Sequence, residues 1–282
     1  MAVCEVCFRH CEIAEGKTGA CGARTCRDGS VVAANYGRIT AFALDPIEKK
    51  PLARFYPGSK ILSVGSFGCN LFCPFCQNHD ISRSDGSGFE DEITPKQLAE
   101  IAGRYRDHGN IGVAFTYNEP LIGYEFVRDT AILVKKKGMK TVLVSNGTAE
   151  LPVLEEILPY IDAMNIDLKS MSEATYRDVL KGDLVTVKAY IERAVRDCHV
   201  ELTTLIVPGM NDSGDEMRAL SEWIAGLTDR EGNVIGAEIP LHVSRFFPRY
   251  RMNDRAATGV AEVYALADIA RERLQYVYTG NC

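Results

Sequence analysis

The sequence has no apolar run of 18 or more residues, which excludes a transmembrane helix. Its N-terminus, MAVCEVCFRHCEIAEG, lacks the apolar core of a signal peptide, and the expected location is therefore the cytoplasm. It has no excess of basic charge: 32 Lys and Arg face 38 Asp and Glu, a net of -6. That balance gives no general attraction to nucleic acid or to anionic membranes, so neither is expected as a partner. Internal repeats and low-complexity segments are absent too. With 46% hydrophobic and 25% charged residues, the chain is neither disordered nor fibrous, and 282 residues suffice for one large α/β domain with an appendage.

What the chain does not lack is cysteine. A secreted disulfide scaffold would be shorter and would carry a signal peptide, whereas clustered cysteines in a reducing cytoplasm point to metal. Eight of the ten cysteines fall in two groups: Cys4, Cys7, Cys11, Cys21 and Cys26, then Cys69, Cys73 and Cys76. Cys198 and Cys282 stand alone, the former most simply a small buried residue.

From about residue 60 the pattern alternates between short apolar strands and helices. Strands are expected at 61–66, 111–117, 139–147, 163–169, 199–207, 237–243 and 274–280. Helices are expected at 94–109 (capped by Thr94, with Pro95 in the first turn), 120–137, 151–161, 185–197, 213–227 and 257–272. Repeated βα units with continuous apolar strands predict a parallel sheet covered by helices. About six such units are too few for a closed eight-stranded barrel, so the expected fold is α/β, a partial (β/α)6 barrel over 61–282 with its chemistry at the C-terminal strand ends. Residues 1–60 are expected to form a separate cysteine-rich module with a hairpin over 31–45.

The loop after the first barrel strand reads GCNLFCPFC, a C-x3-C-x2-C run. Three thiolates on one short loop can ligate three irons of a [4Fe–4S] cubane and leave the fourth open for a substrate. The alternative is zinc with His79 as fourth ligand, although zinc knuckles prefer paired C-x2-C spacing.

This loop resembles the signature of radical S-adenosylmethionine (SAM) enzymes, and specifically of the glycyl-radical-enzyme activases and their relatives. The segments DPIEKKPLARFYPGSKILSVGSFGCNLFCPFCQN, TYNEP, SNG, MNIDLK, TTLIVPGMND and LHVSRFFPRY resemble, in order, the radical SAM member of the AmmeMemoRadiSam system, a group described as related to pyruvate formate-lyase activating enzyme. The resemblance implies an anaerobic oxidoreductase whose cluster, on Cys69, Cys73 and Cys76, cleaves SAM to methionine and a 5′-deoxyadenosyl radical. It implies a low-potential electron donor of flavodoxin or ferredoxin type and, in the activase case, a protein substrate.

Site residues follow from the same resemblance. Phe75, before the third cysteine, is expected near the SAM adenine. Asn118 and Glu119 lie where the family carries a Gly-Gly-Glu type motif, with Glu119 the acceptor for the SAM ammonium. Tyr117 and Asn118 replace the glycines, so a different local backbone is expected. Ser145 and Asn146 match a Thr-Asn-Gly motif, and Val144 stands where the activases have an aspartate of a cation site. Asp167 and Lys169 point to one side of their strand, Lys169 toward the SAM carboxylate and Asp167 toward a ribose hydroxyl or a cation. His242 matches an activase histidine near SAM. The run Ser244–Tyr250 mixes arginines and aromatics and is expected to bind a peptide, to close over the site or simply to pack. The lesser alternatives are that Asn118-Glu119-Pro120 is merely a helix start and Asp167–Lys169 a structural ion pair, while Phe75 without the resemblance is equally a loop hydrophobe.

Cys4, Cys7, Cys11 and Cys21 form C-x2-C-x3-C-x9-C, which suits a structural zinc or an auxiliary iron–sulfur cluster. A short module in need of a staple leans the choice to zinc. His10, Cys26 and Cys282 are the substitute ligands. Two other functions compete with the activase: oxidative modification of a peptide or small molecule using an N-terminal cluster, and a non-enzymatic zinc-binding interaction protein.

Overall fold

The computed structural model describes residues 1–88 and 91–282. The N-terminal segment folds as two small antiparallel units, β1 (Ala2–Val3) with β2 (Glu12–Ile13), and β3 (Arg24–Arg27) with β4 (Ser30–Ala33). The chain then enters the large sheet as β5 (Ala41–Pro46), antiparallel to β6 (Lys60–Gly65). The hairpin expected over 31–45 is therefore corrected: its first strand turns back on 24–27 and its second joins the sheet. The turn is made at Asp28-Gly29, where both residues take left-handed φ values of 50° and 75°, the geometry of a two-residue hairpin.

Six more strands pair parallel, each with its chain neighbour: β7 (Asn110–Phe115), β8 (Lys140–Ser145), β9 (Ala163–Asp167), β10 (His199–Ile206), β11 (Leu241–Arg245) and β12 (Val277–Gly280). The sheet order is the chain order from β5 to β12, so the barrel is open, with those two strands at its edges. Helices follow in turn: α1 (His79–Ser82) and α2 (Pro95–Arg104), α3 (Tyr124–Lys136), α4 (Leu151–Ile157), α5 (Leu184–Ala194), α6 (Gly214–Ala225) and α7 (Val260–Arg271). These are the six expected strand–helix units, with a seventh parallel strand to close the series.

Local chemistry sets the boundaries. Thr94 caps α2 through Gln97, and Gln97 reaches back to the Thr94 N–H, a full capping box. The helix expected over 151–161 stops at Ile157, because Pro159 has no N–H to continue the ladder and Leu158–Tyr160 tightens into a 3-10 turn. Residues Gly236–Glu238 likewise form a 3-10 turn, and the strand expected from 237 begins at Leu241, after Pro240.

The helix-facing side of the sheet is one continuous core. Leu62, Val64, Val113, Phe115, Leu143, Met164, Ile166, Leu202, Leu241 and Val243 pack against Leu98, Val134, Leu154, Val187, Leu220 and Val263 of the helices. Each such side chain contributes about 1.5–3 kcal/mol on burial. On the inner side, Ile61, Ala114, Val142 and Ala163 are plugged by Ile47 and Leu52 from the β5–β6 connection. That plug lies beneath the start of β9, which leaves the C-terminal strand ends for chemistry.

Candidate active site

The cysteine loop leaves the C-terminal end of β6 and is held from several sides. Gly68 takes φ 87°, and a Cβ there would stand 2.6 Å from the Cys21 carbonyl, so only glycine lets the loop lie against the N-terminal module. The next residue, Cys69, donates its backbone N–H to that same carbonyl at 3.0 Å. Asn118 staples the loop to β7: its amide donates to the carbonyls of Phe67 and Gly68 and accepts from Ser66 N–H, at 3.1–3.2 Å. Arg83 donates to Leu71 O at 2.8 Å, and Phe72 lies between the guanidiniums of Arg9 and Arg83, 5.0 and 4.0 Å from its ring.

Glu119 is almost completely buried beside the loop. One oxygen accepts from Ser145 Oγ (2.9 Å) and Leu121 N–H (3.0 Å), the other from Asn146 N–H (2.8 Å). Two oxygens offer about four lone-pair positions, so three donors leave one acceptor position open. Burial pushes the Glu119 carboxyl up to about 7, against those three donors, which favour the charge. Asn146 donates from its amide to Asn70 Oδ1 (3.0 Å) and to the Cys69 sulfur (3.7 Å), tying the β8 turn to the cysteine loop.

On the far side of the loop, Lys169 closes on Asp167 at 2.8 Å. Burial works against the Lys169 ammonium, but the Asp167 carboxylate and the Cys73 thiol outweigh it and hold its pKa above the ordinary value. Burial likewise pushes the Cys73 thiol up to about 11, with Lys169 pulling the other way. A carboxylate therefore sits by Cys69 and an ammonium by Cys73. Phe75 is buried in the main core, at the end of the loop.

Over this assembly lies the β11–α7 connection. Arg251 N–H donates to Pro74 O at 2.9 Å, and Tyr250 stacks on His79 with ring centroids 4.5 Å apart. Within the Ser244–Tyr250 run, Phe246 is buried and Phe247 is exposed.

His242 belongs to a different network. Its Nε2 meets a Glu201 oxygen at 2.7 Å, and its ring stacks on Tyr278. Glu201 also engages His199 Nε2 (2.9 Å) and accepts from the Ala53 and Arg54 N–H groups. Burial opposes the Glu201 charge, and these four partners overcome it, bringing the carboxyl down to about 2. Among the described residues, His242 makes its side-chain hydrogen bond to Glu201 and none to Glu119 or Lys169.

Tyr117 departs from expectation in an informative way. It takes φ 75°, the left-handed region that favours glycine, although it is a tyrosine. Its hydroxyl donates to Asp45 Oδ2 (2.8 Å), and the Lys50 ammonium lies 4.7 Å from its ring, so β5 and the segment after it hold the strained residue.

Sequence reasoning missed Asn70, Glu201, His199 and the Asp45–Lys50 pair. A lone glutamate inside the apolar strand HVELTTLIV was a usable signal for Glu201; nothing local marked Asn70.

Three cysteines on one loop are the donor set of an iron–sulfur cubane with one open iron, whereas a structural zinc takes four protein ligands. Cys69, Cys73 and Cys76 are free thiols on one loop, and Cys69 feels both others electrostatically. His79, the alternative zinc ligand, turns to Asp80 and Tyr250 instead.

Residues 63–224, more than half of the chain, match the Radical SAM superfamily model. The chain is 38% identical to an uncharacterized protein of Methanocaldococcus jannaschii over 281 residues, 99% of this chain and 80% of that one. It is 29% identical over 193 residues to pyruvate formate-lyase 1-activating enzyme of Escherichia coli K12, covering 66% of this chain and 75% of that enzyme. The structure of Streptococcus suis SuiB bound to S-adenosylmethionine shares the fold, with a TM-score of 0.57 at 14% identity over 76% of this chain and 48% of that one. No helix among the described residues is long and apolar enough to cross a membrane. The cysteine loop, the open parallel barrel behind it and these matches have one meaning: the chain belongs to the radical SAM superfamily.

Proposed function

We propose that this protein cleaves SAM reductively and uses the resulting 5′-deoxyadenosyl radical to abstract hydrogen from a substrate, in the manner of an activating enzyme. Cys69, Cys73 and Cys76 would hold a [4Fe–4S] cluster. The chemistry that group supplies when bound is one electron to the sulfonium of SAM, giving methionine and the radical.

The observation that carries the proposal is the pair of opposite charges flanking the loop. The methionine end of SAM bears an ammonium and a carboxylate. Glu119 keeps one acceptor position for the ammonium, and Lys169 offers its own ammonium to the carboxylate. Asp167 takes a ribose hydroxyl, and Phe75 packs toward the adenine. Ser145 and Asn146 fix the Glu119 carboxylate, and Asn118 fixes the loop. The Tyr250–Arg251 segment, docked on Pro74, screens the site from water.

The electron donor in this proposal is a low-potential flavodoxin or ferredoxin type protein, and the hydrogen donor is a protein, as for the activating enzymes the chain resembles. The test is anaerobic incubation with SAM and a strong reductant. Formation of 5′-deoxyadenosine by the native chain and not by Cys73→Ala is the expected result; 5′-deoxyadenosine from the variant refutes the assignment.

A further inference from the structure

The cysteine loop carries one large apolar side chain to the surface. Phe72, the neighbour of Cys73, is 37% exposed, whereas Leu71 before it is buried. Single exposed apolar residues are common, and it is the surroundings that set this one apart. Its ring lies 5.0 Å from the Arg9 guanidinium and 4.0 Å from that of Arg83. Its N–H donates to Leu180 O at 2.9 Å, which brings Lys181 alongside.

The charges around Phe72 are not neutralised. Arg9 donates to the carbonyls of Asn70 and Lys181, and Arg83 to those of Leu71 and Ala20. All four acceptors are main-chain oxygens, so both guanidiniums keep their full charge. Lys181 is exposed, and among the described residues it closes on no carboxylate. The acids nearest in sequence are engaged elsewhere, Asp178 with Arg177 at 2.7 Å and Asp80 with His79 at 3.1 Å. On a chain of net charge -6, three such cations around one exposed ring are a local reversal of sign. They come from the cysteine module, the end of α1 and the β9–α5 connection, so neighbourhood in the chain does not explain their meeting.

Electron transfer slows steeply with distance, so an electron bound for the cysteine loop has to enter where the loop meets the surface. Phe72 is one peptide away from a cluster ligand of the proposed function. Encounters between redox proteins bury little area, less than about 1,200 Å², and lean on charge to steer the partners together. An apolar centre ringed by charge of one sign suits that kind of contact.

We propose that Phe72, Arg9, Arg83 and Lys181 form the docking surface for an acidic electron-carrier protein. The carrier is oxidised by one electron and the cluster on Cys69, Cys73 and Cys76 is reduced by one, with no bond made between the proteins. The proposal rests on the radical SAM reading for the use of that electron; the docking contact itself does not require SAM.

The experiment mixes the iron-loaded full chain with a reduced, acidic flavodoxin and follows bleaching of the iron–sulfur absorbance, without SAM. Lys181→Glu is compared with Lys96→Glu, which makes the same change of net charge on exposed α2. Lys181→Glu should slow reduction by about tenfold and Lys96→Glu should not. The native rate should fall between about 30 mM and about 300 mM salt. A small neutral photoreductant should reduce all three chains alike, and calorimetry with oxidised flavodoxin should rank their affinities in the same order. Equal flavodoxin rates for the two variants overturn the docking surface, while 5′-deoxyadenosine made with the photoreductant would leave the proposed function standing. Lys181→Glu slowed equally with the photoreductant also overturns it, since the change then acts on the loop. Charge-dependent reduction with no SAM cleavage upholds the surface and refutes the proposed function.

Discussion

Asp167 and His242 stand in one register row of the sheet, two strands apart with Thr203 between them. Residues level with each other on parallel strands face the same side, and two strand spacings are about 10 Å. His242 thus looks onto the space that holds the Asp167–Lys169 pair while being anchored below by Glu201. His242→Ala should leave iron content unchanged and lower SAM turnover, while removing one Glu201 partner at a cost of about 1–3 kcal/mol. Thermal unfolding and the 5′-deoxyadenosine rate separate the two effects; unchanged turnover would assign His242 to support of Glu201 alone.

Lys169→Met removes the cation beside Cys73 and leaves Asp167 without its 2.8 Å partner. SAM affinity should fall by about tenfold or more, the equivalent of about 1.4 kcal/mol, with the iron content intact. Equilibrium binding of SAM to the anaerobic protein measures this. Equal affinity in the variant would mean that the ion pair is structural.

Glu201 gives the fold an acid sensitivity. Its carboxyl is lowered to about 2 from an ordinary 4.5, so its charged form stabilises the native state fully above about pH 4.5. That contribution, about 3 kcal/mol, is lost as pH falls toward 2. Between pH 5 and pH 3 the native chain should lose more stability to urea than Glu201→Gln does. Parallel losses in the two proteins would place the acid sensitivity elsewhere.

Gly68→Ala places a methyl group 2.6 Å from the Cys21 carbonyl at a φ of 87°. Backbone must move, at a cost of about 1–3 kcal/mol, and the Cys69 N–H to Cys21 bond is the contact in its path. The variant should unfold at a lower temperature and retain less iron on gel filtration than the native chain. Gly58→Ala is the control: it shares a positive φ of 81° but meets nothing within 4 Å.

The alternation of apolar strands and helices was legible because each unit carries its own period and caps, as at Thr94–Gln97. The Cys69 loop was legible because its three ligands lie within eight residues. Glu119, Asp167 and Lys169 emerged from motif resemblance, and the structure brings them around that loop. What stayed hidden depends on distant partners. Residues 41–46 look like half of a local hairpin until β6 is placed beside them. The strain at Tyr117 is invisible without Asp45 and Lys50, 72 and 67 positions earlier. The Asp28-Gly29 turn was the exception, a local signal of the usual kind that the longer apolar pattern over 31–45 obscured.

The strict agreement of strand order with chain order bears on how the molecule assembles. Every pairing in the large sheet closes a single connection, so loop-closure entropy is modest at each step and the sheet can grow strand upon strand. The cysteine module obeys another rule. Cys7 bridges to Ala149, and Val6 accepts from Glu150 N–H, across more than 140 residues. Those contacts can form only once β8 and its turn exist. Docking of the cysteine module thus waits on the barrel, and its side chains stay outside the packed core until β8 and its turn are in place.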